Sequence, residues 1–391
     1  MNFHSIIRIL CLMAVGIQSH PALADTELAI GYLKVEVPQA ATLSNLDVVP
    51  DNLSLAGAET GLQDNLTTGK FLKQTYSLNA MTVFAEDDPT ATAQEMLAQS
   101  PYLILDAPRD VLLQIADTPE AQNALIFNVT AADVDLRDAE CRANVFHSLP
   151  SFAMRTDALA QLLVKKRWSD LVMIEGTYPK DLAYAEALRQ SLKKYGLKLA
   201  DSKVWDAQAD MRRSASQEIP LFTQGFGDYD AMLIADETQD FGRYVLYNTW
   251  QARPIAGSEG LSALTWSPVI EQWGATQLQN RFRDQHSRAM HSEDYAAWAA
   301  IRTLGEALTR TNKTDVTSLR DYILSDAFEL AGFKGRPLTY RNWNGQLRQP
   351  IALAHPRALV AQAPLEEFLH QTNELDSLGL DQPESTCEAF R

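Results

Sequence analysis

Short apolar runs with no polar alternation constrain this chain more than any other feature. Ala231–Ala235 is such a run, and a strand reads this way when both of its faces are buried. It ends in Asp236-Glu237, and helix-compatible residues Phe241, Tyr244, Val245 and Leu246 follow. A second apolar piece, Pro254–Ala256, then stops at Gly257-Ser258-Glu259-Gly260. Strand, helix, strand with a polar residue at each carboxyl end is the repeating unit of an α/β fold. In open sheets of that class, ligands occupy the crevice beyond those ends.

The unit recurs. Leu28–Leu33, Met81–Phe84, Tyr102–Leu105, Ala124–Val129 and Asn144–His147 read as strands. Between them, Leu55, Ala58, Leu62 and Leu66 fall at helical spacing, Asp88-Pro89 caps and opens a helix on Ala93, Met96 and Leu97, and Pro108 opens another on Val111, Leu112 and Ile115. After Ser148-Leu149-Pro150 the rhythm restarts. Thr156 or Asp157 can cap a helix on Leu159, Leu162 and Leu163, Leu171–Ile174 is a strand, and Leu182 to Leu192 is a helix closed at Gly196. Tyr295, Trp298, Ile301, Leu304 and Leu308 mark one more helix. Two like series predict two lobes of mostly parallel sheet with both faces covered.

The first 24 residues stand apart. Arg8, the apolar run Ile9–Ile17 and Ala22-Leu23-Ala24 read as a cleavable signal peptide, with an apolar core too short to span a bilayer. Export to the periplasm is the expectation, and no later run is long enough for membrane insertion. A net charge of −16 repels phosphate backbones and anionic lipid, so nucleic acid is excluded as a partner. Beyond the leader two cysteines remain, Cys141 and Cys387. They can pair in an oxidising compartment or stay free, and the sequence leaves both open. Residues 371–391 are polar and acidic and read as a disordered tail.

Nothing points to catalysis. There is no nucleophile elbow and no phosphate loop, and Gly225-Phe-Gly227 lies outside any strand–helix junction. No catalytic residue, cofactor or metal ligand is assigned. Asp106, Glu175, Asp236 and Glu237 could converge on a hard cation, but no EF-hand spacing demands it.

Two parallel-sheet lobes behind a signal peptide resemble the type I periplasmic solute-binding proteins of the branched-chain amino-acid receptor group. Asp87-Asp88-Pro89, Tyr178 and Tyr295-Ala-Ala-Trp298 carry that likeness. A more specific run covers Ala235-Asp-Glu237, Asp240-Phe-Gly-Arg-Tyr244, Tyr247-Asn-Thr-Trp250, Arg253-Pro254, Trp273-Gly-Ala275 and Gln277-Leu-Gln279. It is similar to the branch described as the ABC-transporter substrate-binding protein of PQQ-dependent alcohol dehydrogenase systems. The resemblance implies an α/β chain of two Rossmann-like lobes with three crossings between them. Lobe one would comprise 25–148 plus 263–337, and lobe two 149–262 plus 338–370. It also implies a non-enzyme that takes a small polar solute by hinge closure and delivers it to an ABC permease. A sensor or accessory role beside a quinoprotein dehydrogenase is the alternative.

The site expected from strand ends and from the resemblance contains Asp106, Arg109, Asn128, Thr130, Glu175, Tyr178, Asp236, Glu237 and Ser258. Each has a second use. Asp236 can cap the next helix, Asn128 and Thr130 can cap a turn, and Glu175 and Tyr178 can decorate a solvent-facing loop. Where the resembled proteins hold an α-carboxylate, this chain reads Asp106-Ala107-Pro108-Arg109. Pro108 has no N–H to give, Asp106 repels an anion, and only an inward-turned Arg109 would compensate. An ordinary amino acid is therefore not the expected ligand.

Overall fold

A computed structural model describes residues 26–38, 48–205 and 211–390. The signal-peptide expectation lies outside the described residues. In chain order the first lobe opens with β1 (Thr26–Glu36), α1 (Leu55–Leu72), β2 (Gln74–Phe84), α2 (Pro89–Gln99), β3 (Tyr102–Asp106), α3 (Arg109–Ala116), β4 (Leu125–Asn128) and β5 (Val145–His147). Its sheet is parallel throughout, in the order β2-β1-β3-β4-β5. Strands β3 to β5 are buried along nearly their whole length, which is why they read as unbroken apolar runs.

The second lobe follows with α4 (Phe152–Lys166), β6 (Asp170–Glu175), α5 (Pro179–Lys194), β7 (Lys198–Val204), α6 (Met211–Thr223), β8 (Ala231–Ala235), α7 (Gly242–Val245), β9 (Ile255–Gly257) and β10 (Leu261–Leu264). The parallel part runs β7-β6-β8-β9-β10, the strand order of the first lobe repeated. The second sheet keeps Ala263 and Leu264, two residues beyond the expected division at 262.

The chain then returns with α8 (Ala275–His286), α9 (Ser292–Thr311), α10 (Val316–Ile323) and β11 (Leu330–Ala331). Helix α9 lies on α1 at close range. A Cβ on Gly57 would sit 1.8 Å from the Asp294 carbonyl oxygen, so only glycine admits that approach. The last elements are β12 (Pro337–Tyr340), β13 (Leu347–Arg348), β14 (Ile351–His355) and β15 (Ala358–Ala363). The final two extend the second sheet, β14 antiparallel to β10 and β15 antiparallel to β14.

The tail departs from expectation. Leu375, Leu378 and Cys387 are buried, and Cys141 and Cys387 form a disulfide. Ion pairs and backbone hydrogen bonds to the lobes order this polar stretch, together with a few apolar anchors, Leu378 in the core and Phe390 against it.

Candidate functional site

In both sheets the strand order reverses beside the first strand of the set, between β1 and β3 and again between β6 and β8. These reversals are the points where an open α/β sheet leaves a crevice. In the first lobe the position is occupied by Lys34 and Asp106, register partners at the ends of β1 and β3. Lys34 is tied to Glu36 (3.1 Å) and to the Asp51 carbonyl (2.9 Å). Asp106 is half-buried and accepts a hydrogen bond from the Tyr32 hydroxyl (3.3 Å). Burial pushes its carboxyl up from the ordinary 3.8 to about 6. The Thr130 hydroxyl, Lys34 and Tyr32 oppose that rise, and Glu293 adds to it.

The other first-lobe candidates divide. Arg109 does not turn onto Asp106. Its Nε (2.8 Å) and Nη2 (2.5 Å) bond Asp135, and Nη1 bonds Asp110 (2.5 Å). Asp135, brought up by the segment after β4, and the adjacent Asp110 engage it in place of Asp106. Asn128 is buried and closes its own turn, accepting Ala131 N–H (2.9 Å) and donating to the Ala131 carbonyl (2.8 Å). Thr130 stays half-buried beside Ala107 and Asp106.

At the second reversal, Glu175 is buried and held by Arg189 (2.6 Å) and the Ser202 hydroxyl (2.8 Å). It binds β6, α5 and β7 together rather than decorating a loop. Tyr178 precedes α5, with its N–H on Asp181 (3.3 Å) and its ring half-exposed at the lobe's edge. Asp236 is 1% exposed and accepts the N–H groups of Asp240 (2.8 Å), Phe241 (2.9 Å) and Gly242 (2.6 Å). Its use is the capping one. Burial raises its carboxyl while those three donors pull it back down. Ser258 donates to the Ile234 carbonyl (3.0 Å) and accepts Asp236 N–H (2.9 Å), fastening β9 to β8.

Glu237 faces outward from this knot and meets Arg155 in a two-pronged pair, at 2.7 and 2.8 Å. Arg155 also donates to the Ala263 carbonyl (3.0 Å) and lies 5.0 Å from the Tyr184 ring centre. Burial works against its cation, yet Glu237, Tyr184 and Glu293 together outweigh burial and hold the guanidinium charged. Glu293, in the first turn of α9 on the other lobe, acts electrostatically on both Asp106 and Arg155. The residues brought together across the lobes are thus Asp106, Thr130 and Glu293 on one side and Arg155 with Glu237 on the other. The four carboxylates Asp106, Glu175, Asp236 and Glu237 have separate partners, and among the described residues no group of three His, Cys, Asp or Glu could hold a metal ion.

Sequence reasoning missed Arg155, Glu293 and Asp181. The helix cap is Ser151, whose Oγ accepts Met154 N–H (3.3 Å), and not Thr156 or Asp157. That places Arg155 in the first turn, next to the crevice, and Pro150-Ser151 was the available signal. Asp181 accepts the Thr238 N–H (3.1 Å) and is pushed up to about 6 by burial and then by Asp236.

No protein-family model matches the chain, and neither does any curated protein. Solved structures do. A branched-chain amino-acid ABC transporter periplasmic ligand-binding protein from Burkholderia xenovorans superposes with a TM-score of 0.72 at 14% identity, over 93% of this chain and 100% of its own. An ABC transporter substrate-binding protein from Desulfitobacterium hafniense gives 0.65 at 18% identity, over 84% and 97%. A solute-binding protein from R. palustris, solved with benzoate, gives 0.63 at 13% identity, over 92% and 99%. The structure is an α/β chain of two lobes with parallel-rich sheets, the type I periplasmic binding protein fold. Its structural neighbours are ABC-transporter periplasmic ligand-binding proteins.

Proposed function

We propose that this chain is the periplasmic substrate-binding component of an ABC importer, linked to PQQ-dependent alcohol oxidation. It captures a small polar solute between its lobes and presents it to a permease. The observation that carries this reading is the pair of equivalent sheet reversals with polar groups of both lobes at one boundary: Asp106 and Glu293 on one side, Arg155 and Glu237 on the other. Lobe one is taken as 25–148 plus 263–337 and lobe two as 149–262 plus 338–370, with hinge closure about the three crossings. No bond of the solute is made or broken. Ligand binding selects the closed form.

The solute is not a simple carboxylate. Two structural neighbours were solved with leucine and with isoleucine, and a third with benzoate. Here Asp106 stands at the first reversal, Pro108 has no N–H, and Arg109 is engaged by Asp135 and Asp110. The cations beside the second reversal, Arg155 and Arg189, are already matched by Glu237 and Glu175. A hydroxylated or cationic solute suits these acceptors better. Asp236, Glu175, Asn128 and Ser258 support the strand ends and Glu237 is taken by Arg155, whereas Asp106, Thr130 and Tyr178 remain the contacts offered to solute. Calorimetric titration with alcohols, aldehydes, polyols, amines, small acids and PQQ tests this. Binding of an alcohol, polyol or amine, lost in Asp106→Asn, supports the reading; tight binding of an amino acid through its carboxylate overturns it.

The net charge of −16 favours one second reading, an accessory or sensor protein that meets a quinoprotein dehydrogenase or its electron acceptor through an acidic surface. A salt-sensitive complex with the dehydrogenase and no solute binding would decide for it.

A further inference from the structure

The stretch after β15 passes from one lobe to the other on the side where the chain itself crosses. On the second lobe, Leu365 N–H donates to Gln161 (2.9 Å), the Tyr195 hydroxyl donates to the Ser377 carbonyl (3.0 Å), and Gly379 N–H donates to Asp157 (2.9 Å). On the first lobe, Ser385 donates to the Arg137 carbonyl (3.3 Å), Thr386 donates to Asp138, and Cys387 is joined to Cys141. The buried anchors Gly379 and Ser385 are six residues apart, a span of at most about 21 Å even when fully extended. Lys194 of α5 also holds Glu384 (3.3 Å), the residue immediately before Ser385. Neighbouring residues are thus gripped by opposite lobes, which leaves the stretch no slack.

It also grips the β12–β13 hairpin, which precedes the last crossing. Asp376, 3% exposed, accepts Nε of Arg341 (2.9 Å) and Nε of Arg348 (2.8 Å). These two residues stand on the two paired arms of the β12–β13 hairpin, which is bridged to His147 at the end of β5, and the chain enters the second sheet only after it, at β14. Both guanidinium groups lie over the Trp343 ring, at 5.4 and 5.0 Å. Hinges work because a few connecting residues absorb the change in φ and ψ. Asp376 lies on a stretch anchored to the second lobe and is bonded to a hairpin that pairs with His147 of the first, so it opposes that change.

We propose that the C-terminal strap is a fourth connection between the lobes, and that the Cys141–Cys387 bond and the Asp376 clamp together set how far the lobes separate. The strap concerns the lobes' freedom and not the solute, so its test stands even if no compound binds.

Folded protein is reduced and alkylated under native conditions and followed by hydrogen exchange. The double variant Cys141→Ser, Cys387→Ser serves where reductant does not reach the buried sulfurs. The amides of the hairpin and of its seam with β5 are the readout: Gly345 N–H on the Arg341 carbonyl (2.9 Å) and His147 N–H on the Gly345 carbonyl (2.9 Å). They are expected to exchange about tenfold faster, while β3 and β8 exchange as before. Asp376→Asn, with the disulfide intact, is expected to act in the same direction. Faster exchange confined to residues 377–390 would overturn the proposal, because the stretch would then be only a cover. Equal acceleration in β3 and β8 would overturn it too, because the bond would then be a staple of global stability.

Discussion

Asp106→Asn separates a carboxylate kept for binding from one kept for stability. Burial raises the Asp106 carboxyl from 3.8 to about 6, so the folded protein holds this proton more tightly than the unfolded chain does. The sign follows. Below about pH 4 both states are protonated and the site costs nothing; between 4 and 6 the native state must give up a proton it favours; above 6 the penalty is complete. At about 1.4 kcal/mol per tenfold in proton affinity, it reaches roughly 3 kcal/mol, an upper figure because Asp106 keeps some solvent contact. Asparagine imitates the protonated acid. The variant is therefore expected to be more stable than wild type by up to about 3 kcal/mol at pH 8, near 4 °C in Tm for a chain of this length, and to match it at pH 4. Solute affinity should fall in the same variant, about tenfold to a hundredfold, since a hydrogen bond to a charged group is lost. Scanning calorimetry from pH 4 to 8 and titration at pH 7 measure both. A variant equal to or less stable than wild type at pH 8 refutes the argument, as does a gain that persists unchanged at pH 4.

Three further perturbations bear on the frame around the site. Glu237→Gln leaves the Arg155 guanidinium, with 15% of its side chain exposed, without its countercharge; about 2–4 kcal/mol of stability should be lost in urea unfolding. Gly57→Ala drives a Cβ into the Asp294 carbonyl where α1 meets α9, and about 3 kcal/mol or more is expected, read from the shift in denaturant midpoint. Lys334 is buried against the Tyr295 ring with Gln349 at 2.6 Å, and burial pushes its ammonium well below the ordinary 10.5. The unfolded chain binds that proton more tightly, so wild-type stability should rise with pH up to about 10.4, and Lys334→Met should flatten the slope between pH 7 and 10 in pH-dependent melts.

The legible part of the fold was the part buried on both faces. Leu103–Leu105, Ile126–Phe127 and Ala231–Ala235 sit between layers of helix, so burial wrote itself into composition. The edge strands did not. Strand β2 begins at Gln74, seven residues before the apolar piece Met81–Phe84, and its polar Ser77 and Asn79 face solvent where no packing selects them. Strand β7, with Asp201, Ser202 and Lys203, gave no apolar run for the same reason. Periodicity measures burial, and an edge strand has little.

The site was harder for a different reason. A carboxylate at a strand end looks the same in sequence whether it meets a solute, a helix N-terminus or an arginine, and only the neighbours decide. Asp236 was taken by three N–H groups and Glu175 by Arg189, both supplied by segments the spacing could not orient. Asp106 escaped because the residues after it, Ala107 and Pro108, offer no donor side chain and Arg109 found Asp135 instead. Burial raises the proton affinity of Asp236 and Asp181 as well, but their oxygens are taken by backbone N–H groups, whereas Asp106 stands at a sheet reversal where a hydroxyl or ammonium of a solute can add to its partners. That is why the same carboxylate that lowers the stability of the empty protein is the one on which its affinity should depend.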